Sequence, residues 1–180
     1  MEGPRKRYDM GAATMAEVAM NMVAPGIEAL LREAGKTSDS PKRPHLHLII
    51  LRPGTVYTED ININGAVLYW RNFSLDGKDF EYPYDEVARA KAKASLRTGF
   101  ATGYLSRCAP HLFKRGDMKY QGSWVTPSGT ITAASGVQGY YDEMFARWYA
   151  AAFEAVALHR VLPILEDQTR DLVFEDHEPG

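Results

Sequence analysis

The sequence predicts an α+β fold, with a central antiparallel sheet of about five strands and helices packed mainly on one side. Helical and extended patterns alternate in the order helix, strands, helix, strands, helix. A Pro-Ser-Gly turn at 127–129 joins two extended runs, as in a β-hairpin. The 180 residues, 45% hydrophobic and 24% charged, have the size and composition of one ordinary globular domain.

The first predicted element is a helix over about 15–34. Positions 14–17, Thr-Met-Ala-Glu, form a capping box, in which a hydroxyl and a carboxylate satisfy the first backbone amides. Pro25 is expected to kink or split this helix, because proline removes a backbone donor and clashes one turn back. Residues 1–12 are polar and basic and are predicted to form a flexible arm ahead of a single domain over 13–165.

The remaining elements follow from periodicity and from glycine and proline. In chain order they are a strand at 45–51, an extended region within 64–73, an alanine-rich central helix at 84–107, a hairpin at 118–126 and 130–135, and a helix at 141–160. That last helix is expected to end before Pro163. Residues 166–180 are predicted to be an acidic tail.

Composition excludes several classes of function. The net charge of −2 gives no basis for nucleic-acid binding. The single cysteine, Cys108, excludes an internal disulfide and a cysteine-based zinc site. No run reaches the roughly 18 apolar residues of a membrane span. Because Glu17 and Asn21 interrupt the apolar stretch near the N-terminus, no secretion signal is expected, and the predicted location is the cytoplasm.

His45 and His47 stand two residues apart on a predicted strand, so both rings project from the same face. Such a pair could ligate a metal or haem iron, or hold a carboxylate. The alternative, favoured by the spacing alone, is an outward strand face with both rings in water. Further histidine chemistry could come from His111, which follows a proline in a predicted loop.

A polar stripe runs along the central helix, formed by Lys91, Ser95, Thr98 and Thr102. Facing a pocket, it would offer a cation and three hydroxyls to an anionic or polyoxygenated ligand. Facing outward, it would be a solvated helix surface.

An aromatic and cationic cluster that includes Trp70 and Arg71 follows the second strand and fits either a small-molecule pocket or an oligomer interface, the latter being favoured. Asp142 and Glu143 could act as a general acid and base. Their place at the start of a helix is also explained by the helix dipole alone, and this explanation is favoured.

One family resemblance rests on two blocks of the sequence. The segment GTITAASGVQGYYDEMFA at 129–146 resembles the closing strand–turn–helix segment of the GlcG/HbpS-like, haem-degrading-type domains. Upstream, ARAKA at 88–92 and LRTG at 96–99 look like the central helix of that family. The run KAKASLRTGFAT at 91–102 is most similar to a functionally uncharacterised branch.

The resemblance implies a compact α+β domain of profilin-like layers that assembles into homo-oligomers and binds a small molecule, with haem or another tetrapyrrole as the named ligand. It places Lys91 and Thr102 among the ligand-binding residues. Arg71 is added to them from the aromatic and cationic cluster. Tyr120 and Trp124 join this set because they flank the position of a glycine-rich turn in the family; here Ser123 and Trp124 are departures that could reshape or fill the pocket.

Under this expectation, an axial haem ligand would come from His45, His47 or His111. The alternative function is a cofactor-independent isomerase, lyase or cyclase. Its acid and base would be a histidine or carboxylate, drawn from the three histidines, Asp142 and Glu143, and its substrate would be held by Lys91 or Arg71.

Overall fold

Four antiparallel strands form one sheet, in the order β2-β1-β4-β3, in the computed structural model, which describes residues 5–37, 45–77 and 79–173. The elements are α1 (Arg5–Thr37), β1 (His45–Leu51), α2 (Ile63–Ala66), β2 (Val67–Ser74), α3 (Tyr84–Thr98), α4 (Thr102–Cys108), a 3₁₀ turn (Pro110–Leu112), β3 (Ser123–Val125), β4 (Ile131–Ser135) and α5 (Gly139–Val173). The predicted α+β class is confirmed, with four strands in the described residues where about five were expected.

Strand β1 lies in the middle of the sheet and is buried along its whole length. Its side chains alternate between the two faces. Leu46, Leu48 and Ile50 pack into a core with α1 and α5, whereas Ile49 and Leu51 pack against α3. The two long helices therefore share one face, as predicted, and α3 covers the other.

Alanine lets α3 approach the sheet closely. Ala88 and Ala92, one turn apart, are fully buried against Ile49 and Ala133 of the sheet. Small side chains on both surfaces bring polar groups of α3 within reach of β4.

The predicted central helix is divided in two by Gly99, which was not expected. Gly99 has φ of 75°, and its N–H donates to the carbonyl of Ser95 at 2.8 Å. A glycine in the left-handed region is the usual end of an α-helix. The chain then starts α4 at Thr102, so the residues up to Cys108 follow a separate short helix.

Helix α1 begins at Arg5 and continues through Pro25, which was expected to kink or split it. Residues 5–12, predicted as a flexible arm, are thus helical, and residues 1–4 lie outside the described part of the chain. A proline inside a helix removes one hydrogen bond and leaves the others available, so packing on both sides can maintain the helix. The packing here is the contact of α1 with α5.

Helix α5 likewise runs past Pro163, where the sequence predicted its end, and reaches Val173. Residues 166–173 of the predicted acidic tail are helical, and residues 174–180 lie outside the described range. The division of the chain into arm, domain and tail stays a prediction.

Among the described residues, no helix combines the length and apolar character needed to cross a membrane.

Gly136 is expected to be intolerant of any side chain, because β4 passes very close to β1 at this point. A Cβ at Gly136 would lie 2.0 Å from the carbonyl oxygen of His45 and 2.7 Å from the Cα of Leu46. Gly136→Ala should lower the free energy of unfolding by about 1–3 kcal/mol, the usual cost of overpacking. Urea unfolding measures the change.

Gly11→Ala is the matched control, since a Cβ there meets nothing within 4 Å and the residue is helical. It should stabilise the protein by roughly 0.5–1 kcal/mol. Equal effects of the two substitutions would contradict the close contact between β4 and β1.

Candidate functional site

Two of the clefts formed by the described residues border helix α3. The first, here called the Lys91 cleft, has a volume of about 350 Å³ and lies between α3, the end of β4 and the start of α5. The second, the His47 cleft, has a volume of about 500 Å³ and lies between α3 and the strands β1 and β2. Residues 84, 87 and 91 of α3 line the first, and residues 85 and 89 line the second, so successive faces of one helix serve the two clefts.

The floor of the Lys91 cleft is a buried ion pair. Lys91 is 1% exposed, and its Nζ donates to Asp142 Oδ2 at 2.9 Å and to the carbonyl oxygen of Ala134 at 2.8 Å. An ammonium has three N–H donors, so these two bonds leave one N–H with no acceptor among the described residues. The pair joins α3, β4 and α5 at one point.

Asp142 is held on both oxygens. Oδ2 accepts from Lys91, and Oδ1 accepts from the backbone N–H of Val137 at 3.1 Å. Burial raises the pKa of the Asp142 carboxyl above its usual value, and Lys91 together with the backbone hydrogen bonds opposes that rise. Asp142 thus closes the turn that leads into α5, as a helix N-terminal acid does, and also balances the Lys91 charge.

A glycine makes room for this pair. Gly122 has φ of 136°, and a Cβ there would lie 2.5 Å from Lys91 Nζ and 2.8 Å from Asp142 Cβ. Its carbonyl accepts from the N–H of Ala134 at 2.7 Å. The backbone before β3 therefore passes directly over the ion pair, which a residue with a side chain would not allow.

The walls of the Lys91 cleft are mainly aromatic and apolar. Three tyrosines, Met118 and Val137 contribute side chains, the tyrosines being Tyr82, Tyr84 and Tyr120. Tyr120 is 72% exposed at the mouth, whereas Tyr84 is buried. A cleft with apolar walls and a few fixed polar groups is typical of small-molecule sites.

The two predicted histidines are buried and do not lie in water, because α3 and the segment before it cover their face of the sheet. His45 stacks on Phe80 with ring centroids 4.9 Å apart, and its Nε2 lies 2.7 Å from Asp76 Oδ1. His47 stacks on Trp70 and bonds Asn72. His47 lines a cleft, but His45 lines neither of the two described here.

In the His47 cleft, the Nδ1 of His47 donates to Asn72 Oδ1 at 2.5 Å. Burial lowers the pKa of the imidazole below its usual value. Across the cleft, Arg89 Nη1 donates to Asp85 Oδ2 at 2.7 Å. Burial thus favours the neutral ring, which faces a cleft in which one arginine is already paired with a carboxylate.

Thr102, a predicted ligand-binding residue, is part of a buried hydroxyl network away from both clefts. Ser123 Oγ lies 2.7 Å from Ser95 Oγ and 2.9 Å from Thr102 Oγ1, and it accepts from the Thr102 N–H at 2.9 Å. This network fixes α4 and α3 to β3. Three of the four stripe residues, Lys91, Ser95 and Thr102, are thus buried and Thr98 is half-buried, and only Lys91 lines either of the two clefts.

Trp124 and Arg71 also lie outside the two clefts. Trp124 packs on the α5 side of the sheet, where the Arg147 guanidinium lies 4.2 Å from its ring centroid. Arg71 donates to Asn21 Oδ1 at 3.0 Å and so joins β2 to α1. Trp124 therefore does not fill the Lys91 cleft, because alternation along β3 directs it to the opposite face.

Glu143 and His111 lie elsewhere as well. Glu143 Oε1 is 3.9 Å from Arg107 Nη2, and its side chain lies against Gly103. His111 is exposed in the 3₁₀ turn.

The structure therefore brings Lys91, Tyr120 and Asp142 together, and it places His47 in a separate cleft. Within the described residues, no three His, Cys, Asp or Glu side chains are placed to hold a metal ion.

No family model matches this sequence. No curated protein matches it at a significant level. Among solved structures, the chain is similar to the Ybr137w protein, with a TM-score of 0.45 and 19% identity over 75% of this chain and 78% of that one. It is also similar to a double mutant of Streptomyces reticuli HbpS, with a TM-score of 0.40 and 18% identity over 78% and 83% of the two chains. An HbpS structure is thus among the solved structures to which this chain is similar.

Removing Lys91 should destabilise the fold strongly, because Asp142 would be left as a buried charge with no cation. Lys91→Met is expected to lower the free energy of unfolding by about 3–5 kcal/mol, measured by urea unfolding. The double variant Lys91→Met, Asp142→Asn should recover part of that loss, since the amide oxygen still accepts from Val137 but carries no charge. A double variant less stable than Lys91→Met would contradict a stabilising ion pair.

Proposed function

We propose that this protein binds a small organic molecule in the Lys91 cleft. The observation that carries the proposal is the Lys91 ammonium, which is buried at the floor of an open cleft with one of its three N–H donors unused by the described residues. Burying an ion pair is costly, and a pair that serves stability alone is often replaceable by apolar residues. A charged pair that lines a cleft therefore favours a role in binding.

The cleft chemistry favours a ligand with a hydrogen-bond acceptor on an aromatic or apolar body. A carbonyl or carboxylate oxygen would accept from Lys91, and the flat body would lie between the tyrosine rings. A cation is disfavoured because the Asp142 carboxylate is already engaged on both oxygens by Lys91 and Val137.

The same engagement favours binding over acid–base catalysis. A general base must have an oxygen or nitrogen within reach of the substrate proton. Both oxygens of Asp142 are occupied within the protein. Lys91 therefore acts in this proposal as a donor that orients the ligand, and the cofactor-independent enzyme remains the alternative.

Haem, the ligand named by the family resemblance, stays a prediction, and the described residues do not fit it well. Of the three predicted axial ligands, His47 alone lines either of the two clefts. Six of the eight residues of its cleft are polar or charged, namely His47, Asn72, Ser74, Asp79, Asp85 and Arg89. Such walls suit neither the apolar face of a macrocycle nor its two carboxylates, because the single arginine is already paired with Asp85.

Tyr120 provides the direct test of the Lys91 cleft, because it is exposed and its removal should spare the fold. Benzoate and benzamide, which carry an acceptor oxygen on a ring, should bind, and benzylamine should not. Tyr120→Ala should weaken benzoate about two- to tenfold, the usual worth of one aromatic contact. Isothermal titration calorimetry measures the affinity.

Tyr104→Ala is the matched control, because Tyr104 is also exposed but stacks on Phe100 and lines neither described cleft. It should leave benzoate affinity unchanged. Equal weakening by both variants, or preferential binding of benzylamine, would contradict the proposal.

Self-association, predicted for this protein, is also part of the proposed function. Val18 and Met22 lie one helical turn apart on α1 and are 40% and 62% exposed. Near them, Asn21 bonds Arg71 on β2, which is an edge strand of the sheet. Exposed apolar side chains beside a strand that has a sheet neighbour on only one side among the described residues are a suitable surface for a second copy of the chain.

Met22→Lys should therefore lower the mass measured by light scattering at micromolar concentration, because a lysine would be buried in the contact. Val56→Lys is the control, since Val56 is 75% exposed in a loop outside this surface. A wild-type mass near the 20.1 kDa of one chain would contradict self-association.

A further inference from the structure

We propose that the His47 cleft is a second binding site, separate from the Lys91 cleft, which takes a polyhydroxylated ligand such as a monosaccharide. The proposal starts from two polar atoms that the fold buries without a partner. His47 Nε2 and Arg89 Nε are both shielded from solvent and have no hydrogen-bond partner in the described structure. Both residues line this cleft, and His47 is 2% exposed.

Each of these atoms carries a cost in free energy unless something pairs with it. Buried polar groups in folded proteins are nearly always hydrogen-bonded, and exceptions often mark a bound water, an ion or a functional site. Two unpaired atoms on residues that line one cleft are therefore unlike a single packing defect, and they point to an occupant that supplies both partners.

The two atoms are complementary. Because the Nδ1 of His47 donates to Asn72 Oδ1, the proton of the neutral ring is on Nδ1, and Nε2 is an acceptor. Arg89 Nε–H is a donor, and the guanidinium is oriented by the bond from its Nη1 to Asp85. A ligand that accepts from Arg89 and donates to His47 satisfies both, and a compound with several hydroxyls carries both functions on its oxygens.

The other walls extend the match to more than one hydroxyl. Asn72, Asp79 and Asp85 place amide and carboxylate oxygens around the same cleft, and these accept from O–H donors. Trp70, 53% exposed, offers a flat ring against which the C–H face of a sugar ring can pack. Acceptor oxygens beside an aromatic face suit a ligand with several hydroxyls on a ring.

Charge disfavours an ammonium ligand here. The Asp85 carboxylate is already neutralised by Arg89 at 2.7 Å, and the unpaired atom of that arginine is a donor. A cation would find Asp79 alone, which is exposed to solvent at the edge of the cleft. A neutral hydroxyl compound meets the donor and the acceptor together.

Saturation-transfer NMR on the full chain with glucose, galactose, ribose and myo-inositol tests the proposal, with benzylamine as the cationic comparison. At least one of the polyols should bind. Calorimetry should then show that Arg89→Lys weakens that polyol about tenfold or more, because lysine keeps the charge beside Asp85 but lacks the Nε–H donor. Arg107→Lys, which alters an exposed arginine outside both clefts, should leave the affinity unchanged.

The wild-type indole N–H signal of Trp70, assigned from a Trp70→Phe variant, gives a readout that does not depend on the folding of Arg89→Lys. It should shift when the polyol is added, and excess benzoate should not reverse the shift, because benzoate belongs to the Lys91 cleft. The Trp70 shift would therefore still be expected even if no ligand bound in the Lys91 cleft.

Three results would overturn the inference. Failure of all four polyols to bind would mean that a water molecule satisfies the two buried atoms. Binding of benzylamine alone would mean that the site takes a cation and not a neutral polyol. Polyol binding that leaves the Trp70 signal and the Arg89→Lys affinity unchanged would place the polyol elsewhere.

Discussion

The ion pair between Lys91 and Asp142 is the interaction on which the arrangement of the α3 side depends. A lysine that is 1% exposed requires its charge to be balanced nearby, and the low dielectric of the interior makes that balance strong. Asp142 meets the requirement from the first turn of α5, and the Ala134 carbonyl adds a second acceptor from β4. The pair therefore fixes where α5 starts relative to the sheet and how deeply α3 lies on it, and Gly122 and the small residues of α3 follow from that constraint.

The two clefts differ in how far the protein satisfies its own polar atoms. In the Lys91 cleft every oxygen of Asp142 is bonded, and the ammonium retains one donor. In the His47 cleft an acceptor and a donor are both left unpaired. The buried polar atoms of the first cleft are thus nearly all hydrogen-bonded without a ligand, and the remaining N–H can orient a ligand by a single hydrogen bond. The second has a stronger need for an occupant, since two desolvated atoms depend on it.

Much of the fold followed from periodicity and turn chemistry, and the departures have physical causes. The apolar run at 45–51 predicted β1, and the Pro-Ser-Gly turn predicted the hairpin. The ends of the helices were harder to predict, because Gly99 divided a helix whose composition favours continuation, and α1 and α5 continued past Pro25 and Pro163. Such outcomes depend on tertiary contacts that a local pattern does not contain.

The two candidate sites were only partly predictable from the sequence, because they too depend on contacts between distant residues. The polar stripe of the central helix predicted Lys91 as a cation for a ligand, and the start of the last helix predicted Asp142 as a helix N-terminal acid. Nothing local indicated that the two side chains bond across 51 residues. Gly122, which makes room for them, carried a signal only as a glycine near a predicted hairpin. Arg89 and Asn72 were missed because each is an ordinary polar residue on its own element, and only the pairing of β1 with β2 and the packing of α3 bring them to His47.

Ligand binding at the buried Lys91 ammonium is tested most directly by the NMR spectrum of protein labelled with ¹⁵N at its lysine side chains, recorded before and after addition of benzoate. Exposed ammonium protons exchange rapidly with water, whereas the buried and bonded Lys91 ammonium should give a protected signal that is absent from Lys91→Met. Benzoate should shift this signal, because the ligand oxygen takes the third N–H. A spectrum with no protected ammonium, or a protected Lys91 signal that benzoate leaves in place while binding, would contradict ligand binding at the buried Lys91 ammonium.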